Sequence, residues 1–144
     1  MPESYRGAGN PLAEYVSIPW WIRIAVVLGA LLMAMGAGIA LLRPAMLVAP
    51  GAEINEAARI YAGYVISRNF AIAILLIALL FAGAKRSLGH AMVLVAFIQV
   101  FDAAIDCGEG RWAVAPGVFV FGVVYLLAAN RLLPHPFWKS AAWR

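Results

Sequence analysis

Four apolar stretches, at about 19–42, 56–83, 88–107 and 113–133, take up most of the chain and are separated only by short polar punctuation. Each approaches or exceeds the roughly 20 residues that an α-helix needs to cross about 30 Å of hydrocarbon. The composition agrees: 65% of the residues are hydrophobic and only 12% charged, where a soluble domain averages roughly 25% charged. The fold class read from this is all-α, a polytopic membrane protein built as a four-transmembrane-helix antiparallel bundle over 19–133. An N-terminal tail at 1–18 and a C-terminal tail at 134–144 flank it. The net charge of +4 does not point to nucleic acid, because the basic residues border the apolar runs rather than gathering on a soluble face.

Local signals fix the joints. The opening residues carry Pro2, Gly7, Gly9 and Pro11 and read as irregular, with Trp20 and Trp21 at headgroup level. With Arg6 and no apolar core in the first 17 residues, no cleavable signal peptide is expected. Arg43-Pro44 ends the first span and Pro50-Gly51 turns the chain. Lys85 and Arg86 make a short second connection, closed by Gly89 and His90. Gly108-Glu109-Gly110-Arg111 reads as a tight polar turn before Trp112. Pro116 suits a first helical turn, and Pro134 and Pro136 stop the last span. In the first span Gly29, Gly36 and Gly38, interspersed with alanines, form a small-residue face that lets helices approach closely in lipid.

Basic residues set the expected orientation. Arg6, Arg23, Lys85, Arg86, Arg131, Lys139 and Arg144 fall on one side, against Arg43, Arg59 and Arg111 on the other. By the positive-inside rule both termini are cytoplasmic.

Several chemistries have no support in the sequence. Cys107 is the sole cysteine, so no internal disulfide forms. His90 and His135 lack ligand-spaced partners, so no metal is expected. There is no serine–histidine–acid set, phosphate loop or nucleotide fingerprint, and no cofactor is expected.

What remains are polar residues inside apolar runs. Arg59-Ile60-Tyr61-Ala62-Gly63-Tyr64-Val65-Ile66-Ser67-Arg68-Asn69 opens the second span, and Gln99, Asp102 and Asp106 close the third. Arg68 stands about 22 Å from Gly83, and Asp102 about 21 Å from Leu88, at 1.5 Å per residue. Spans two and three, joined by a short loop, are expected to be antiparallel neighbours with these two residues at matching depth. A lone Arg or Asp near mid-helix costs roughly 2.5–3.5 kcal/mol on insertion scales, which favours pairing inside the bundle. Arg68–Asp102 is the expected pair, with Asp106 or Arg59 completing a network and Tyr61, Tyr64, Asn69 and Gln99 around it.

Three uses of this network are open: an ion pair that only fixes helix register, a polar cup for a lipid-like small molecule, or proton or ion movement. In a catalytic cup Asp102 and Asp106, one turn apart in a low-dielectric site, would hold unequal proton affinities and act as an acid–base pair. Isomerisation, cyclisation or epoxide opening would suit them. The competing class is a non-catalytic accessory subunit that packs on a larger membrane complex through the glycine face and the bare fourth span. That span also allows a homodimer.

The run Arg59–Leu80 followed by Phe97–Asp106 resembles the second and third helices of an uncharacterised DoxX-like family of small bacterial four-helix membrane proteins. The resemblance spans about 19–133. It implies a helix-two Arg followed by a polar residue, here Arg68-Asn69, and a late helix-three Asp, here Asp102. A more distant likeness, in architecture, is to EXPERA-type four-helix membrane proteins, whose acidic residues face an apolar cavity. The chain lacks the histidine and tryptophan pattern of the sterol isomerases in that group.

Overall fold

The computed structural model describes residues 17–46 and 55–143. The expectations for the irregular opening residues, Arg6, Pro50-Gly51 and Arg144 lie outside the described residues. Four helices carry the fold: α1 Trp20–Leu42, α2 Glu56–Phe81, α3 Lys85–Gly108 and α4 Ala115–Leu132. Short 3-10 turns at Pro44–Met46 and Ser140–Trp143 complete it, and no strand occurs among the described residues. Each of the four is long and apolar enough to cross a membrane. This is the all-helical antiparallel arrangement expected from the apolar runs.

The helix ends have local causes. The Asn55 side chain accepts a hydrogen bond from the Ala58 N–H at 2.8 Å, and Glu56 occupies the positive first turn of α2. Both ends of the α2–α3–α4 path close in the same way. Gly83 has φ 65°, the Gly83 N–H donates to the Leu80 carbonyl, and the Ala84 N–H donates to the Leu79 carbonyl. Gly110 has φ 74°, with Gly110 N–H donating to Cys107 and Arg111 N–H to Asp106. These are Schellman endings, which need a residue tolerant of left-handed backbone. The first of them is so tight that Lys85 and Arg86, expected in the connection, already belong to the first turn of α3.

Packing divides the bundle into two hairpins. The broad helix contacts are α1 with α2 and α3 with α4, while α2 touches α3 lightly and α1 touches α4 at a single crossing. The sequence expectation of α2 and α3 as neighbours holds, but they are the thinner of α2's two interfaces. Accordingly α2 buries only Ala73 and Leu76. The shared core is built from Ile22, Val26, Leu76, Leu88, Met92, Val95 and Tyr125, all essentially inaccessible.

Tyr125 makes the α1–α4 crossing possible. Its hydroxyl donates to the Ala25 carbonyl at 3.4 Å, and a Cβ at Gly29, one turn further along α1, would overlap that hydroxyl. Gly29 thus serves the close approach expected of the small-residue face. Gly36 and Gly38 do not, since a Cβ at either meets nothing within 4 Å.

The C-terminal segment is docked onto α3. Trp143 Nε1 donates to the Phe137 carbonyl at 2.7 Å, and its ring stacks on His90 with centroids 4.6 Å apart. His90 Nε2 lies 2.8 Å from the Ala142 carbonyl, and Ala142 is fully buried. His90, which the sequence offers only as a rejected metal ligand, is the anchor of this strap.

Candidate functional site

α2 and α3 cross where each carries polar residues. Arg68 Nη2 lies 3.4 Å from Asp102 Oδ2, in a charge-assisted hydrogen bond between the two hairpins. Arg68 Nε also donates to Asn69 Oδ1 at 3.5 Å. The pair is half-exposed, with side-chain exposures of 39% and 38%. It therefore borders open space rather than lying sealed in the core.

Asp102, though not Arg68, lines a cavity of about 430 Å³ walled by all four helices. Leu32, Met33 and Gly36 come from α1 and Asn69 from α2. Ile98, Gln99 and Asp102 come from α3, and Gly117, Val118 and Phe121 from α4, with Val114 at its entrance. It occupies the half of the bundle remote from the α2–α3 turn. Small-molecule sites typically fall between about 300 and 1,000 Å³, mostly apolar with a few converging polar groups. This one has three polar residues, Asn69 on α2 and Gln99 and Asp102 on α3, and apolar or glycine positions elsewhere. The bare backbone at Gly36 and Gly117 helps to create the room, since a Cβ at either meets nothing within 4 Å.

The other expected site residues stand elsewhere. Asp106 is buried, but its Oδ1 lies 3.3 Å from Arg111 Nη1 and it does not line the cavity. The Schellman ending at Gly110 swings Arg111 back over Asp106. Tyr61 and Tyr64 point outward, about 70% exposed. Arg59 lines a separate shallow cleft with Ala40, Pro44 and Ile66. The network around Arg68–Asp102 is therefore completed by Asn69, and neither Asp106 nor Arg59 joins it. Sequence reading missed the α1 and α4 walls; the available signal was Gly36 and Gly117, small residues facing neither a turn nor a tight crossing.

Chemically, the wall offers the Asp102 carboxylate, already balanced by Arg68, and the neutral amides of Asn69 and Gln99. These groups accept and donate hydrogen bonds without net charge. Among the described residues no cluster of three or more His, Cys, Asp or Glu could hold a metal.

The four apolar helices define a multi-pass helical membrane protein. No family model, curated protein or solved structure matches the chain.

Proposed function

We propose that the chain is a membrane-embedded binding protein for a neutral, lipid-like small molecule. The carrying observation is the four-walled cavity beside Arg68 and Asp102. Its apolar walls take the body of the ligand, and Asn69, Gln99 and Asp102 take a hydroxyl or carbonyl. A charged head would find no counter-ion, because Arg68 and Asp102 already neutralise one another. Binding is favoured over isomerisation or cyclisation, since Asp106 is held by Arg111 and leaves Asp102 the one carboxylate lining the cavity. The reading keeps the DoxX-like likeness and the bacterial inner membrane as its setting.

Gly36→Leu tests it, because Gly36 lines the cavity, a Cβ there meets nothing within 4 Å, and the larger side chain takes up ligand space. In detergent, wild type gains thermal stability from a lipid extract freed of anionic phospholipid, and Gly36→Leu melts normally without lipid but loses that gain. Mass spectrometry of molecules co-purifying with wild type then identifies the ligand. Equal gains in both proteins would remove the cavity from consideration.

A second reading is the accessory subunit. It draws on α2, whose exposed Ile60, Tyr61, Tyr64 and Phe70 leave a long outward face. It expects no lipid gain in either protein and co-purification of another membrane chain.

Orientation belongs to the same proposal. Arg23, Lys85, Arg86, Arg131 and Lys139 share the end that holds the α2–α3 turn, and by the positive-inside rule this supports a cytoplasmic side for that end. A reporter active only outside the cytoplasm stays silent when fused after the C-terminal strap, and activity there would reverse the topology.

A further inference from the structure

A second depression lies at the opposite end of the bundle, on its outer surface between the loosely packed α2 and α3. It is a groove of about 660 Å³. Leu75 and Leu79 form one side, and Leu94 and Phe97 the other. Ser87, His90 and the Trp143 ring close the end nearest the α2–α3 turn. From His90 to Phe97 the groove runs about 10 Å along α3 at 1.5 Å per residue. Its length is apolar and only its end is polar.

The charge around that end is one-sided. Lys85 and exposed Arg86 stand in the first turn of α3, beside Ser87, and Lys139 lies in the strap. Every acidic side chain among the described residues, Glu56, Asp102, Asp106 and Glu109, belongs to the other half of the bundle. Arg86, exposed in the positive first turn of a helix with no side chain capping it, opposes the helix dipole unless an anion is present. Basic pockets between membrane helices at the cytoplasmic face are binding places for anionic lipid headgroups.

We propose that this groove holds an anionic phospholipid. Its phosphate sits at Arg86 and Ser87, and one acyl chain runs along Leu79, Leu94 and Phe97. The strap, stacked on His90, forms the wall that keeps the chain in the groove. This site is independent of the central cavity: the ligand is charged, and the residues are different.

The test uses the full chain in neutral detergent, with phosphatidylglycerol or phosphatidylcholine of identical acyl chains as probes. Native mass spectrometry counts the lipid retained, and melting temperature reports stabilisation. Phosphatidylglycerol is retained and raises the melting temperature by several degrees, while phosphatidylcholine does neither. Arg86→Gln weakens the apparent affinity about fivefold, the effect of one basic residue near an anionic surface. Arg131→Gln removes a charge from the same end outside the groove and leaves the affinity unchanged. Ala91→Leu, which places a larger side chain in the groove, abolishes retention while melting normally without lipid. Gly36→Leu retains the phosphatidylglycerol response, so the two sites succeed or fail separately. Equal weakening by Arg86→Gln and Arg131→Gln, equal retention of both lipids, or undiminished binding to Ala91→Leu would each overturn the proposal.

Discussion

Gly29→Ala is expected to lower the melting temperature of the purified protein by roughly 5–10 °C. The added Cβ would overlap the Tyr125 hydroxyl and lies 2.8 Å from a Phe121 ring carbon, so α1 and α4 must separate. Overpacking a filled core costs about 1–3 kcal/mol. Displacing Tyr125 also breaks its hydrogen bond to Ala25, and leaving a buried polar group unpaired costs about 1–3 kcal/mol more. For a chain of this size each kcal/mol corresponds to about 2–4 °C. Tyr125→Phe alone removes the hydroxyl and its hydrogen bond together, at about 1 kcal/mol. In the double variant part of the Gly29→Ala cost disappears, because one overlapping atom is gone. Gly36→Ala, with open space around it, melts like wild type. If Gly29→Ala also does so, Gly29 is not the contact that sets the α1–α4 crossing.

The second large effect concerns the ion pair. Asp102→Ala leaves Arg68 without its carboxylate, and Arg68→Gln leaves Asp102 without its guanidinium. Unpaired charges at mid-helix cost roughly 2.5–3.5 kcal/mol on insertion scales and less toward the interface. The half-exposed setting puts each single loss at about 1–3 kcal/mol. Arg68→Gln with Asp102→Asn removes both charges and keeps two groups that can hydrogen-bond. This double variant is expected to be more stable than either Arg68→Gln or Asp102→Asn alone. A thermodynamic cycle measures that coupling directly. Simple additivity of the two losses would mean that the 3.4 Å contact contributes nothing.

The fold was legible because lipid-spanning helices announce themselves by length and apolarity. The helix start near Pro116 followed from ordinary first-turn chemistry, and the span from 56 to 83 from apolarity alone. Matching depths in α2 and α3 were enough to pair Arg68 with Asp102. Partner choice between helices was not legible. In α2 almost every face is apolar, and lipid and neighbouring helix demand the same chemistry, so no periodic signal tells Tyr61 and Tyr64 which way to turn. Asp106 was misplaced for a different reason. Helical spacing put it on Asp102's face, but the glycine at 110 returns Arg111 to it across the helix end. That pairing could have been anticipated from Gly110 as a left-handed ending. The His90–Trp143 stack could not, because it joins residues from two ends of the chain through no local pattern.

The division into two hairpins has a mechanical consequence. Each pair, α1 with α2 and α3 with α4, is one body held by its own broad seam. The cavity belongs to neither body, since its walls come from both. Its volume is therefore a measure of how the two hairpins lean together, and no single helix sets it. Two fastenings govern that lean: Tyr125 to Ala25 toward one end, and Arg68 to Asp102 toward the other. A guest that touches Asp102 is then in contact with a wall and a fastening at once.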